Sequence, residues 1–84
     1  MPRFMNAFTW KRAMDEEMTS LLPAQQAWVR EMMAKGVMHS LYLTTDMSAG
    51  WAVYSAESAE ALLDQMESIP MRRFMNVNLN QLAD

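Results

Sequence analysis

From Phe74 to Leu82 the chain alternates residue by residue. Phe74, Asn76, Asn78 and Asn80 share one parity, and Met75, Val77 and Leu79 share the other. Side chains of an extended strand point to opposite faces in turn, so this stretch reads as a strand with one apolar and one amide-rich face. A strand needs pairing partners to be stable in water, and three other segments offer them. Arg3 to Trp10 is aromatic and loosely alternating. Val37 to Thr45 holds Leu41, Tyr42 and Leu43 followed by two Thr. Trp51 to Ser55 returns from it after the turn-forming Asp46, Ser48 and Gly50.

Two helical stretches separate these strands. Pro23 suits a helix's first turn, and Gln25, Trp28, Val29, Met32 and Met33 recur at helical spacing up to Lys35 and the C-capping Gly36. Whether that helix begins earlier, near Asp15, and bends at Pro23 stays open. Ser58 is an N-cap for a second helix, whose stripe is Ala59, Leu62, Leu63 and Met66 and which Pro70 ends. The order β-α-β-β-α-β predicts an α+β, ferredoxin-like domain over residues 1–84, a four-stranded antiparallel sheet with two helices on one face.

Composition narrows the function. There is no Cys in the 84 residues, which removes disulfides, thiolate zinc sites and cysteine nucleophiles. The net charge of −3, with seven scattered Lys and Arg, argues against a nucleic-acid partner. No apolar run is long enough to span a membrane. Met1 to Trp10 does not read as a signal peptide, so a cytoplasmic location is expected. Phosphate-binding glycine loops, a Gly-x-Ser-x-Gly elbow and paired-histidine spacings are absent. Eleven Met invite a copper reading at pairs such as Met14 and Met18, but most fall on predicted apolar stripes, where Met is a core filler.

Helices on one face leave the other uncovered. Strand parity assigns Met5, Ala7, Leu41, Leu43, Ala52, Tyr54, Met75, Val77 and Leu79 to the helix side. It assigns Phe4, Asn6, Phe8, Met38, Ser40, Tyr42, Trp51, Val53, Asn76 and Asn78 to the helix-free face, and a slip of one residue in any strand would exchange its two sets. So aromatic a face is expected to be covered by the sheet of a second copy, giving a dimeric α+β barrel with a small-molecule pocket between the sheets. The expected ligand-binding residues are Phe4, Asn6, Phe8, Ser40, Trp51, Asn76 and Asn78. Arg73 joins them as a carboxylate binder at the barrel mouth. His39 is the only histidine, the side chain that changes charge near neutral pH. It and Tyr42 are the candidate proton carriers. Neither a metal nor a cofactor is expected.

These segments resemble the muconolactone isomerase-like family of dimeric α+β barrels. The resemblance rests on Ala27-Trp28-Val29-Arg30-Glu31-Met32 ending in Lys35-Gly36, on Gly50-Trp51-Ala52-Val53-Tyr54, on Ser58-Ala59-Glu60-Ala61-Leu62-Leu63, and on Ser68 to Val77 around Pro70. It covers about three quarters of the chain. The chain departs from the family where its enzymes carry a Glu-Lys-Glu patch, having Gln25, Gln26 and Ala27 instead, and where they carry a strand His, having Ser40 with His39 one place earlier. The resemblance implies a homodimer or higher oligomer and a cofactor-free isomerase acting on a small lactone or carboxylate. Two rival readings are a cofactor-free monooxygenase of the antibiotic-biosynthesis type, which needs Asn6, Asn76 and Trp51 to converge, and a non-catalytic ligand-binding or assembly module.

Overall fold

The computed structural model describes residues 1–83. The elements are β1 (Arg3–Trp10), α1 (Glu16–Ser20), α2 (Leu22–Ala34), β2 (Met38–Leu43), β3 (Ala49–Ser55), α3 (Ala59–Met66), a 3₁₀ turn (Arg72–Phe74), β4 (Met75–Asn76) and β5 (Leu79–Gln81). The sheet runs β2-β3-β1-β4 with β5 also on β1, and every pairing is antiparallel. The ferredoxin-like α+β plan expected from the periodicities is the one observed.

The point left open at Pro23 resolves as a break. Asp15 caps α1 by accepting the Met18 N–H at 2.9 Å, and Leu21 donates back to the Met18 carbonyl. Pro23 has no N–H to extend that ladder, so the chain restarts as α2 one residue before it. At the other end of α2, Gly36 sits at φ 75°. Its N–H bonds the Met33 carbonyl and the Val37 N–H bonds the Met32 carbonyl, the paired closure of a Schellman motif. Ser58 caps α3 by accepting the Ala61 N–H at 3.0 Å.

The expected last strand is interrupted rather than continuous. Thr9↔Asn76 and Asn6↔Leu79 keep one register across the gap. Ala7 donates to the Asn78 carbonyl at 3.0 Å, so these two residues should exchange both ladder bonds. The return bond is diverted: the Asn78 N–H goes to the Asn6 side-chain oxygen at 3.1 Å. A buried side chain thus stands in for a backbone carbonyl and splits the strand into β4 and β5.

That geometry corrects the reading of β1. Phe4, Asn6 and Phe8 are buried beneath the helices, opposite Tyr54, Ala52 and Gly50 of β3. Met5 and Ala7 lie on the helix-free face. Met38, also expected there, is buried in the core. Both parities of β1 carry apolar residues, so alternation alone could not choose between them; the larger Phe pair takes the buried side. For β2 the cause is a bulge between Met38 and Ser40, which shifts parity within the strand. Ser40, Tyr42, Trp51, Val53 and Asn76 lie on the helix-free face as expected. Among the methionines, Met18, Met66 and Met71 are fully buried and Met32, Met38 and Met75 nearly so, which fits the core-filling role.

Two glycines and one carboxylate carry measurable consequences. A Cβ on Gly50 would lie 2.5 Å from the Phe8 ring and 2.8 Å from the Tyr42 carbonyl. Gly50→Ala is expected to destabilise the fold by about 1–3 kcal/mol through overpacking. Gly36→Ala, in open space but at positive φ, should cost only about 1 kcal/mol. Urea titration distinguishes the two.

In the β2–β3 turn, Asp46 accepts hydrogen bonds from the Ser48 hydroxyl at 2.7 Å, the Thr44 hydroxyl at 2.7 Å and the Ser48 N–H at 3.0 Å. These hold its pKa down to about 2, against roughly 3.9 in an unfolded chain. A depressed carboxylate contributes stability that is present above the unfolded pKa and lost as pH falls through the folded one. The stability difference between native protein and Asp46→Asn should therefore shrink as pH falls from about 5 towards 2.

Candidate functional site

Between α2 and the sheet lies a pocket of about 280 Å³. Its helical wall is Leu22, Gln25, Gln26, Trp28, Val29 and Arg30. The sheet contributes Phe8 and Trp10 from β1, Met38, Leu41 and Leu43 from β2, Tyr54 from β3 and Met75 from β4. Ile69 and Met71 close it from the segment after α3, and Met47 reaches it from the hairpin turn. These positions follow from the local structure described above. The β1 and β3 parities bring Phe8 and Tyr54 inward, and the helical spacing of α2 turns Gln25, Trp28 and Val29 towards them.

The walls are mostly apolar, and their polar groups are few. The Trp28 indole N–H donates to the Ser68 hydroxyl at 2.8 Å, which itself donates to the Gln65 carbonyl at 2.7 Å, tying α2 to α3. The Gln25 side-chain oxygen accepts the Met71 N–H at 3.2 Å. Burial pushes the Tyr54 hydroxyl pKa well up, so the phenol stays protonated and neutral. The indole N–H of Trp10 is buried without a partner, as is the side-chain amide nitrogen of Asn6. Among the described residues, Arg30 is the only charged side chain on the walls.

Of the residues expected to bind ligand, this pocket takes in Phe8 alone. Phe4 and Asn6 are buried on the same side of the sheet but do not line it. His39 occupies the β2 bulge on the helix-free face, exposed, with its Nε2 on the Ser55 hydroxyl. Tyr42 is 64% exposed opposite Trp51 at 43%, and Ser40 pairs with Val53. Asn76 is exposed and donates its amide to the Thr9 hydroxyl at 3.1 Å; Asn78 is exposed at the gap between β4 and β5. Asn6 lies on one face of the sheet and Asn76 and Trp51 on the other, so the constellation that the monooxygenase reading requires does not form.

Arg73 is not free at a barrel mouth. It pairs with Glu17 at 3.1 Å and lies over the Phe74 ring at 4.5 Å, beside a separate recess with Glu67, Pro70 and Arg72. Arg12 binds the same Glu17 at 2.6 Å and Asp15 at 2.7 Å. Hydrogen bonds from Arg12 and then Arg73 lower the Glu17 pKa. The Asp15-Glu16-Glu17 run is therefore a helix start with an exposed ion network, worth little in stability.

Trp10, Arg30, Met47 and Tyr54 escaped the sequence reading. Trp10 shares the parity of Phe4 and Phe8 and turns inward with them. Arg30 follows Gln26 by one helical turn, which was visible, but nothing in the sequence said which flank of α2 a cavity would touch. Among the described residues no group of three or more His, Cys, Asp or Glu could hold a metal ion. No helix there is long and apolar enough to cross a membrane.

The fold has solved counterparts. The crystal structure of muconolactone isomerase superposes with a TM-score of 0.81 at 21% identity, over 98% of this chain and 88% of that one. The 5-chloro-2-hydroxyhydroquinone dehydrochlorinase of Burkholderia phenoliruptrix AC1100, solved with 2,5-dihydroxybenzoquinone, gives 0.74 at 13% identity, over 95% of this chain and 93% of that one. At these identities the likeness speaks for the fold. No curated protein sequence matches the chain. The family model described as muconolactone delta-isomerase matches residues 4–84, nearly the whole sequence. The chain, with its α2 pocket, belongs to the muconolactone delta-isomerase family.

Proposed function

We propose that this protein binds a small hydrophobic or carboxylated molecule in the pocket beneath α2 and acts as a cofactor-independent isomerase on a small lactone or carboxylate. The observation that carries this reading is the pocket itself, an apolar space of about 280 Å³ with a handful of polar groups, in a chain of this family. Moving a proton between carbon atoms needs a general acid or base. Gln25 and Gln26 do not titrate, Arg30 carries a fixed charge, and Tyr54 is held protonated. The proton carrier must then come from beyond these walls, and we assign it to His39 or Tyr42 in an assembly of several copies.

A second copy is the partner we assign to the helix-free face, because Tyr42 and Trp51 stand 64% and 43% exposed there as neighbours. Trp51→Glu is expected to shift the sedimentation coefficient towards that of a monomer; an unchanged value would remove this face as the interface. One observation favours a second reading, a non-catalytic ligand-binding module: none of the polar side chains on the pocket walls is suited to titrate near neutral pH.

Turnover separates the two readings. With muconolactone as substrate and no metal or cofactor added, the isomerase reading expects a change in ultraviolet absorbance. His39→Ala or Tyr42→Phe should slow it by about 10²-fold or more, while Leu41→Trp, which fills the pocket, should abolish binding. Binding without turnover selects the module, and failure of native protein to bind any small lactone or carboxylate sinks both readings.

A further inference from the structure

The pocket beneath α2 has an uneven electrostatic character. Among the described residues its lining contains one cation, Arg30, and no anion. Arg30 makes no ion pair and no side-chain hydrogen bond among the described residues. The other cations near sites of interest are committed. Arg73 and Arg12 share Glu17, Lys35 pairs with Glu31 at 2.9 Å, and Arg72 donates to the Met75 carbonyl at 3.3 Å.

Arg30 is exposed while its side chain borders the cavity. An Arg in that position lays its aliphatic stem along the apolar wall and keeps its guanidinium at the rim, in water. A planar guanidinium that is not paired to a carboxylate is a ready fork for one, and the adjacent Glu31 is taken by Lys35. Deeper in, the Tyr54 phenol stays protonated and neutral. A mostly apolar interior of this kind suits an uncharged ligand body and penalises a second charge.

We infer that Arg30 is the specificity-determining residue of this pocket, holding the single carboxylate of a monoanionic ligand at the rim while the ligand's uncharged body fills the space below. This rests on the reading of the pocket as the binding site and goes beyond it by naming the residue and the charge it selects. It also replaces Arg73 as the carboxylate partner.

The test uses phenylacetate and its neutral counterpart phenylacetamide as probes, titrated calorimetrically into the intact protein. Native protein is expected to prefer phenylacetate, by a margin that falls as salt is raised. Arg30→Gln should weaken phenylacetate by roughly three- to tenfold, the range for a charge pair at a partly exposed rim, and leave phenylacetamide unchanged. Arg30→Lys should retain part of the preference as a point charge without the fork. Equal loss of both probes in Arg30→Gln would mean that the stem shapes the pocket and the charge selects nothing, which overturns the inference. So would loss of the preference in Arg73→Gln with Arg30→Gln intact. If native protein binds neither probe, the pocket reading fails and takes this one with it.

Discussion

The middle strand governs this structure. β1 is hydrogen-bonded to β3 on one side and to β4 and β5 on the other, so the direction of its side chains fixes which face of the sheet is core. Phe4, Asn6 and Phe8 point beneath the helices, and the rest follows. Gly50 must lack a side chain because the Phe8 ring occupies that space. Tyr54 and Ala52 face inward because they pair with Phe4 and Asn6. The pocket lies under α2 because Phe8, Trp10 and Tyr54 give it a floor.

Asn6 is the unusual member of that row. A buried amide has to earn its place by hydrogen bonds, and Asn6 does so by taking the Asn78 N–H from the sheet ladder. The exchange leaves the amide nitrogen unpartnered and breaks the final strand in two. The parity of Asn6 with aromatic residues placed it, in sequence, in a ligand pocket on the helix-free face. In the folded chain it is a local repair of backbone pairing, inside the core.

Chemistry and scaffold are segregated in this chain. The enclosed volume is on the helix side, with neutral donors and one cation at its rim. The histidine and the exposed tyrosine are on the far face of the sheet. A single copy thus holds an apolar pocket and, on the opposite face of the sheet, its histidine and an exposed tyrosine. That separation makes assembly the central question for the proposed catalysis.

Much of the fold was legible in the sequence because its signals are local. Proline, glycine and Ser58 mark helix ends through backbone geometry that one or two residues decide. Period-two alternation from Phe74 to Leu82 marks a strand, and the order of elements limits the topology. The family resemblance carried by Trp28, Gly36, Gly50 and Pro70 pointed the same way. The candidate site was not legible to the same degree. Which parity of β1 is buried depends on the comparison of two apolar sets against helices distant in sequence. The bulge at His39 shifts parity without any glycine to announce it. That Arg30 stands alone while Arg73 is paired depends on Glu17, 56 residues away from Arg73. The sequence by itself determined the elements, their order and the absence of thiol chemistry, since these rest on residue type and short spacing. Only the tertiary structure decided the core face, the place of the pocket and the charge at its rim, because burial and ion pairing join residues that the chain keeps far apart.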